Sequence, residues 1–590
     1  MKRKIFSLAL ALMMIVSVTT ALPVSATTGT IIDLNAIEDV EYSNSNMLRS
    51  SDKTAKPSTT IVSWDTAGRL RLLSDKEDGK SAVWTISDVA AEGNYEIYAS
   101  AALGTSSDDK TANRIAANQT VSVSVNEGEE KTATVIGTDG GNDAVLNSLG
   151  IYSLVAGENT LQITYNAPSS APALCIFDFR LVKTDKTETA PFVNINAYTT
   201  TTVQQGEDKT SYNASGDIRT IPSSVSDEYA AWISPGFNKV FSGWCGGVST
   251  TVTAPEAGYY DVLVAAGVTG GSEAEVVVDN AIVAGTLEPT ATNTDVAINN
   301  LGRIYLDGTT QELTYYLYNP SGQCNTFDIR LEKSANQAAQ PIIINARYSD
   351  RNSGTSEISG YTKVSENQAG WANSGSARLA GDTNYVEYDV NILEAGYYNV
   401  FTATGSGDTA KIDLYVDNTK CTNGARLIDS NSTATGSTWY SPDETFIARV
   451  YLEDGPATIK LTGGTGTGAY YLYNIKLEKV DVTEDTIRIT DKDDNVLSSV
   501  TAGSTICAEF VSSDTSSARL FLVQYEAVSG DIKKLVATSY SSAVTYTLNG
   551  KNFYTTTLNT RNLSGYVKAF LWKDDGSLAP LEGTIQLDVN

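Results

Sequence analysis

One short phrase occurs three times in this chain: Phe177-Asp178-Phe179-Arg180-Leu181-Val182-Lys183, Phe327-Asp328-Ile329-Arg330-Leu331-Glu332-Lys333 and Tyr473-Asn474-Ile475-Lys476-Leu477-Glu478-Lys479. Its apolar residues fall at every second position, with acids, amides and bases between them, which predicts a strand with one buried and one wet face. The copies recur at roughly 150 residues, the period of whole domains and too long for the units of solenoids or propellers. The sequence therefore reads as three copies of one β module used in series.

Other markers recur in step. Each copy opens on an apolar strand ending in Asn-Ala, from Ile31 to Ala36, Phe192 to Ala197 and Ile342 to Ala346. A glycine turn then leads into an alternating strand at Gly93, Gly258 and Gly396, followed by a short strand that ends near an Asn-containing turn, as in Val276 to Asn280 and Leu414 to Asn418. A strand, a tight turn and another strand come next, around Gly157, Gly308 and Gly455, and their pattern predicts hairpins. Polar linkers separate the copies, Thr184 to Pro191 and Ser334 to Pro341, too short to let neighbours wander far.

From Asp481 the repeat stops, but short strands with turns continue to Asn590. The predicted fold class is all-β: three tandem jelly-roll β-sandwiches, over 27–184, 191–334 and 341–480, followed by an immunoglobulin- or fibronectin-like sandwich over 481–590. Residues 1–26 read as a signal peptide. Lys2, Arg3 and Lys4 precede an apolar run from Ile5 to Val18, and Val24-Ser25-Ala26 has the small-x-small pattern of a cleavage site. An exported, extracellular protein is expected, with no membrane insertion after cleavage, because the apolar run is shorter than the ~20 residues of a spanning helix.

The formal net charge of -27 argues against nucleic acid or anionic membranes as partners, since both require basic surface. The 5 cysteines form no metal or disulfide pattern, and buried thiols are expected. There is no histidine at all, which excludes Ser-His-Asp and Cys-His nucleophile systems and His-ligated metals. A Glu-x-Asp-x-x-Glu array like that of jelly-roll glycoside hydrolases is also missing, because Glu387-Tyr388-Asp389 is followed by Ile392. No enzyme is expected.

The segment Asn384-Tyr385-Val386-Glu387-Tyr388-Asp389-Val390-Asn391-Ile392-Leu393-Glu394-Ala395-Gly396-Tyr397-Tyr398, with Ala254-Pro255-Glu256-Ala257-Gly258 in the second copy, resembles carbohydrate-binding modules of families 6 and 35. The resemblance spans roughly Thr27 to Lys479 and implies galactose-binding-like jelly rolls that hold a sugar between two aromatic rings, with a polar residue near the last strand. It makes Trp439 and Tyr440, in Thr435-Gly436-Ser437-Thr438-Trp439-Tyr440, and Trp371, in Ala369-Gly370-Trp371-Ala372-Asn373, candidate sugar contacts. At the asparagine that members place on the sugar stand Cys175, Asn325 and Tyr471, so only Asn325 keeps the amide. At the glutamate that many members use for a structural calcium stand Ile37, Tyr198 and Arg347, so calcium is not supported and no cofactor is expected.

The other tryptophans read as packing groups. Trp64, Trp232 and Trp244 lie in polar stretches without the motif, while Trp84 and Trp572 sit inside alternating strands and are assigned to cores. The run Asp491 to Asn495 has calcium-loop spacing at its start but lacks the glycine and the bidentate glutamate, so it reads as a hairpin turn. The expected function is binding of extracellular or cell-wall polysaccharide, weak sites in series gaining avidity. The alternative is a structural or adhesive protein with surface or secreted protein partners; a polysaccharide-degrading enzyme is the least expected.

Overall fold

The computed structural model describes residues 31–35, 40–42, 70–72, 80–104, 118–138, 140–141, 144–165, 171–196, 202–204, 229, 231–233, 238–241, 244–319, 321–353, 356–359, 362–407, 409–422, 426–427, 438–464, 468–514, 518–529, 532–541, 544–574 and 584–590. The expected signal segment and Trp64 lie outside the described residues, as does the side chain of Trp244.

All described sheets are antiparallel, and they pack as sandwiches. In the first repeat Ile31–Asn35, Ala173–Thr184, Gly93–Gly104 and Val145–Leu154 form one sheet in that order, facing Val40–Tyr42, Lys80–Val89, Gly157–Tyr165, Gln119–Val125 and Lys131–Val135. The second repeat keeps both orders. So does the third, where Ala469–Val480, Gly396–Gly405 and Asp443–Leu452 lie side by side and Tyr385–Ile392, Gly455–Gly463 and Lys411–Val416 face them. In each copy the opening strand pairs with the closing phrase, as in Ile31↔Val182, Phe192↔Glu332 and Ile342↔Leu477.

The closing phrase departs from simple alternation at one place, and the same place each time. The ladder shifts between Ile176 and Asp178, between Thr326 and Asp328, and between Leu472 and Asn474, leaving Phe177, Phe327 and Tyr473 as the extra residues of bulges. Phe179, Ile329 and Ile475 go into the sandwich cores, whereas Phe177, Phe327 and Tyr473 join separate apolar clusters. Each repeat thus plants one buried aromatic ring outside its main core.

The expected hairpins around Gly157, Gly308 and Gly455 are corrected. Val145–Leu154 and Gly157–Tyr165 belong to opposite sheets, as do Ala297–Leu306 with Thr310–Asn319 and Asp443–Leu452 with Gly455–Gly463. These glycines have φ of 95°, 81° and 102° and turn the chain from one sheet to the other. Hairpins occur instead at Asp279-Asn280 and Asp417-Asn418, where φ is positive at both turn residues, as two-residue turns matched to strand twist require.

The C-terminal unit packs two four-stranded sheets. Counted along the chain, its strands stand in the orders first-second-sixth-fifth and fourth-third-seventh-eighth. Its core includes Ile489, Ile506, Leu520, Leu522, Val567 and Leu571. Phe553, Tyr546 and Val511 instead extend the core of the third repeat.

Junctions between units also hold buried ion pairs. Arg347 pairs with Glu275 of the second repeat, and Arg449 of the third repeat is held by Asn399, Asp494 and Glu509. Asp494 comes from the run Asp491 to Asn495 expected to be a turn, whose Asp491 accepts from the backbone amides of Asp493 and Asn495 at 2.9 Å each.

Candidate functional site

The outer face of the third repeat's first sheet has two ends. At one end Asn399, Arg449 and Tyr397 are covered by the C-terminal unit, Tyr397 lying 6.3 Å from the Phe553 ring. At the other end the bulged Tyr473 brings a cluster of rings together, all of whose members among the described residues come from the third repeat.

Trp439 and Tyr440 sit on the 3-10 turn Thr438–Tyr440, just before the Asp443–Leu452 strand. The Trp439 ring meets Tyr471 edge-on at 5.2 Å, and Tyr440 is 5.9 Å from the same ring. Tyr473 supports the turn from below, its hydroxyl donating to the Trp439 carbonyl at 3.0 Å. The opposing segment has glycine at both ends: a Cβ at Gly405 would overlap the Trp439 backbone carbonyl, and one at Gly407 the indole nitrogen, so the ring can keep its place only beside glycine there.

Trp371 enters from the loop before Ser376–Ala380 and packs, half-buried, on Tyr473, Ala403 and Ala372, as Tyr471 also does. Its indole N–H donates to the Glu444 carboxylate at 2.6 Å. Lys476 pairs with Glu444 at 2.8 Å and lies 5.1 Å from the Trp371 ring centroid. The loop is fixed by its backbone: Ser365 N donates to Tyr440 O at 2.7 Å, Ala369 N to Pro442 O at 3.0 Å, and Asn373 N to the Asn474 side chain at 2.8 Å. The site is therefore held in shape by the fold and not left to side-chain rotamers.

Burial pushes the Tyr473 and Tyr471 hydroxyls above the ordinary tyrosine range, Tyr440 adding to the effect at both, so both phenols are neutral near pH 7. With Glu444 paired to Lys476, and Glu357 to Arg378 opposite Tyr471, the cluster offers ring faces, neutral hydroxyls and compensated ion pairs. Tyr440 is 41% exposed. Such a surface suits an uncharged, hydroxyl-rich molecule with one apolar face.

Three of the four residues singled out from sequence come together here. Trp371, Trp439 and Tyr440 share one end of one sheet, but the partner ring facing Trp439 is Tyr471, in direct contact, not Trp371. Asn325 stands apart in the second repeat and has no exposed surface. Its amide donates to the Asn293 carbonyl at 2.7 Å and accepts from Gln323 at 3.0 Å, so it pins a loop. Cys175 is buried beside Phe177. The motif did not single out Glu444, Lys476 and Tyr473, and Tyr471 entered only as a departure from the asparagine pattern. The signal was the run Tyr470-Tyr471-Leu472-Tyr473 followed by Lys476 on the strand whose tail is the repeated phrase.

The equivalent place in the second repeat is closed. Trp232 and Ile233 are each 2% exposed and pack with Ala265 and Phe327, while neighbouring Ala231 contacts Tyr98 and Leu146 of the first repeat. The calcium position Arg347 is likewise occupied by structure: it lies 3.6 Å over the Tyr316 ring and pairs with Glu275.

No protein-family model matches the chain, and no curated protein does. Solved structures with local similarity include a Podospora anserina GH26-CBM35 β-(1,4)-mannanase, 13% identical over 25% of this chain and 29% of that chain, TM-score 0.18. A family 35 carbohydrate-binding module from Clostridium thermocellum is 18% identical over 25% of this chain and 98% of that chain, TM-score 0.17. A Paenibacillus xanthan lyase is 12% identical over 76% of this chain and 39% of that chain, TM-score 0.19. Structural neighbours of this chain thus include carbohydrate-binding modules and carbohydrate-active enzymes, at a depth of similarity that carries no argument about function.

Proposed function

We infer that this chain is an exported, non-catalytic glycan-binding protein whose binding site is the open ring cluster of the third repeat. The observation that carries the reading is the set Trp439, Tyr440 and Tyr471: the two rings of a turn clamped by the Ser365 and Ala369 backbone both lie against Tyr471 of the Ala469–Val480 strand, beside the Trp371–Glu444–Lys476 group. Pyranose rings pack an apolar face on such rings while their hydroxyls take the polar groups alongside. A neutral sugar is favoured because the charges at the site cancel.

A glycan and polysaccharide panel tests this with the purified chain, alongside Trp439→Ala and Tyr440→Ala. The expected result is binding to a defined neutral glycan that falls about tenfold or more in each variant with unchanged thermal unfolding. Absence of binding to every glycan overturns it.

One observation favours a second reading, a structural or adhesive role for the first two repeats. Trp232 is 2% exposed where the third repeat keeps Trp371 half-buried, and the contacts between repeats, Ala231 on Tyr98 and Leu146 and Arg347 on Glu275, are closed. These units then serve as a stiff stem that presents the third. A pull-down from matrix or cell-wall protein, compared between the full chain and a Trp439→Ala variant, separates the two roles.

A further inference from the structure

The C-terminal unit carries rings on the wrong side of a sheet. Leu520, Leu522, Val567, Ala569 and Leu571 form its core, so the alternate residues of Ala518–Ser529 and Gly565–Lys573 face outward. Those outward residues are Arg519, Phe521, Val523 and Tyr525 on one strand and Trp572, Phe570, Lys568 and Tyr566 opposite them. Trp572, assigned to a core from its alternation, is in fact on this outer face. The strand is apolar on both sides, and the aliphatic side won the core.

The rings are joined across strands. Phe521 stacks on Phe570 at 5.4 Å with 9° between planes, Trp572 is 5.3 Å from Phe521, and Tyr540 of the neighbouring strand is 5.6 Å from it. Further along, Tyr525 stacks on Tyr566 at 5.1 Å, with the Lys533 and Lys568 ammonium groups 4.7 and 5.7 Å from the Tyr566 centroid. From Arg519 to Tyr525 the strip runs about 20 Å at ~3.3 Å per residue. Tyr540 is 57% and Leu535 53% exposed.

Charge identifies the occupant. In a chain of net charge -27, the four strands of this sheet hold Arg519, Lys533, Lys534, Lys568 and Lys573 against only Glu526 and Asp588. Arg519 is paired with Asp574 and Lys534 with Glu526, but Lys533 and Lys568 form no ion pair among the described residues. An extended run of rings with unneutralised cations beside it is complementary to a linear chain that alternates apolar ring faces with carboxylates.

We propose that the outer face of this sheet binds an acidic, carboxylated polysaccharide: its sugar rings pack on Tyr540, Trp572 and Tyr525, and its carboxylates pair with Lys533 and Lys568. The site is independent of the third-repeat cluster and differs from it in ligand charge.

The test is affinity of the purified chain for polygalacturonate and for neutral dextran, from about 0.05 to about 0.5 M NaCl. Polygalacturonate binding that weakens with salt, falls about tenfold in the Lys533→Ala/Lys568→Ala double variant and in Tyr540→Ala, and is unchanged in Trp439→Ala supports the proposal. The exposed lysine variant keeps the test sound should Tyr540→Ala lose its fold. No binding, binding indifferent to the two lysines, or loss in Trp439→Ala overturns it. So does a dimer in sedimentation that Tyr540→Ala dissociates, which would assign the face to a second copy of the chain.

Discussion

Arg347 of the third repeat and Glu275 of the second are 2.5 Å apart with both side chains almost wholly buried, 5% and 3% exposed. The guanidinium also lies 3.6 Å over the Tyr316 ring and donates to the Ser374 carbonyl at 3.2 Å. Burial pushes the Glu275 carboxyl up and the Arg347 charge pulls it back, the signature of a desolvated pair whose partners need one another. Glu275→Ala should therefore cost about 3–5 kcal/mol at this junction, because it strands a buried cation. Urea unfolding followed by fluorescence checks the loss, and a Glu275→Leu/Arg347→Met pair should recover most of it. Equal stability for all three proteins would mean that the pair contributes nothing to the junction.

An ion pair within the C-terminal unit gives a pH dependence. Burial pushes the Glu484 carboxyl up, but the Lys551 ammonium at 2.7 Å and the Ser513 hydroxyl at 2.6 Å more than offset this and hold it at about 2, below its ordinary 4.5. A depressed folded-state value means that the contribution is complete above 4.5 and is lost as pH falls toward 2. The thermal midpoint of the native chain should fall across that window more steeply than that of Glu484→Gln. Parallel curves would refute the assignment.

The hairpin at Asp417-Asn418 has φ of 48° and 65°, a region that asparagine and glycine tolerate and β-branched residues do not. Its tip is tethered to the neighbouring strand of the same sheet, Gly455–Gly463, with Asp417 N donating to Thr458 O at 3.0 Å and Thr458 N to the Asp417 side chain at 2.9 Å. Asn418→Val should cost ~1–2 kcal/mol and Asn418→Gly only a few tenths. Chemical denaturation of the two variants side by side measures the difference.

The strands, their order along the chain and the three-fold repetition were legible because apolar alternation is a local property. What required three dimensions was the choice between faces and between sheets. Phe177, Phe327 and Tyr473 look like the first core residue of the phrase, yet a bulge turns them outward, and no alternation pattern marks an inserted residue. Gly157, Gly308 and Gly455 carry the same turn chemistry whether the chain folds back in one sheet or crosses to the other. Trp572 lies on a strand apolar on both faces, where aliphatic packing against Leu520 and Leu522 decided the side. Asn325 fits the motif by register, but burial reassigns its amide to Asn293. Trp439 and Tyr440 could be singled out as candidates because their motif lies in one loop, whereas Glu444 and Lys476 meet only across strands.

The last prediction separates position from identity at the ring cluster. Gly407 lies against the Trp439 indole, and a methyl there has no room unless the ring moves. Gly405 faces the Trp439 and Thr438 carbonyls, so a methyl at that position must displace backbone instead. Gly407→Ala should therefore swing the indole away from Tyr471 with little change in stability, shifting tryptophan fluorescence and lowering glycan affinity about as much as Trp439→Ala. Gly405→Ala should destabilise the turn itself, by about 1–3 kcal/mol for an overpacked contact. Affinity that survives Gly407→Ala but not Trp439→Ala would show that the ring is needed but its packing against Tyr471 is not.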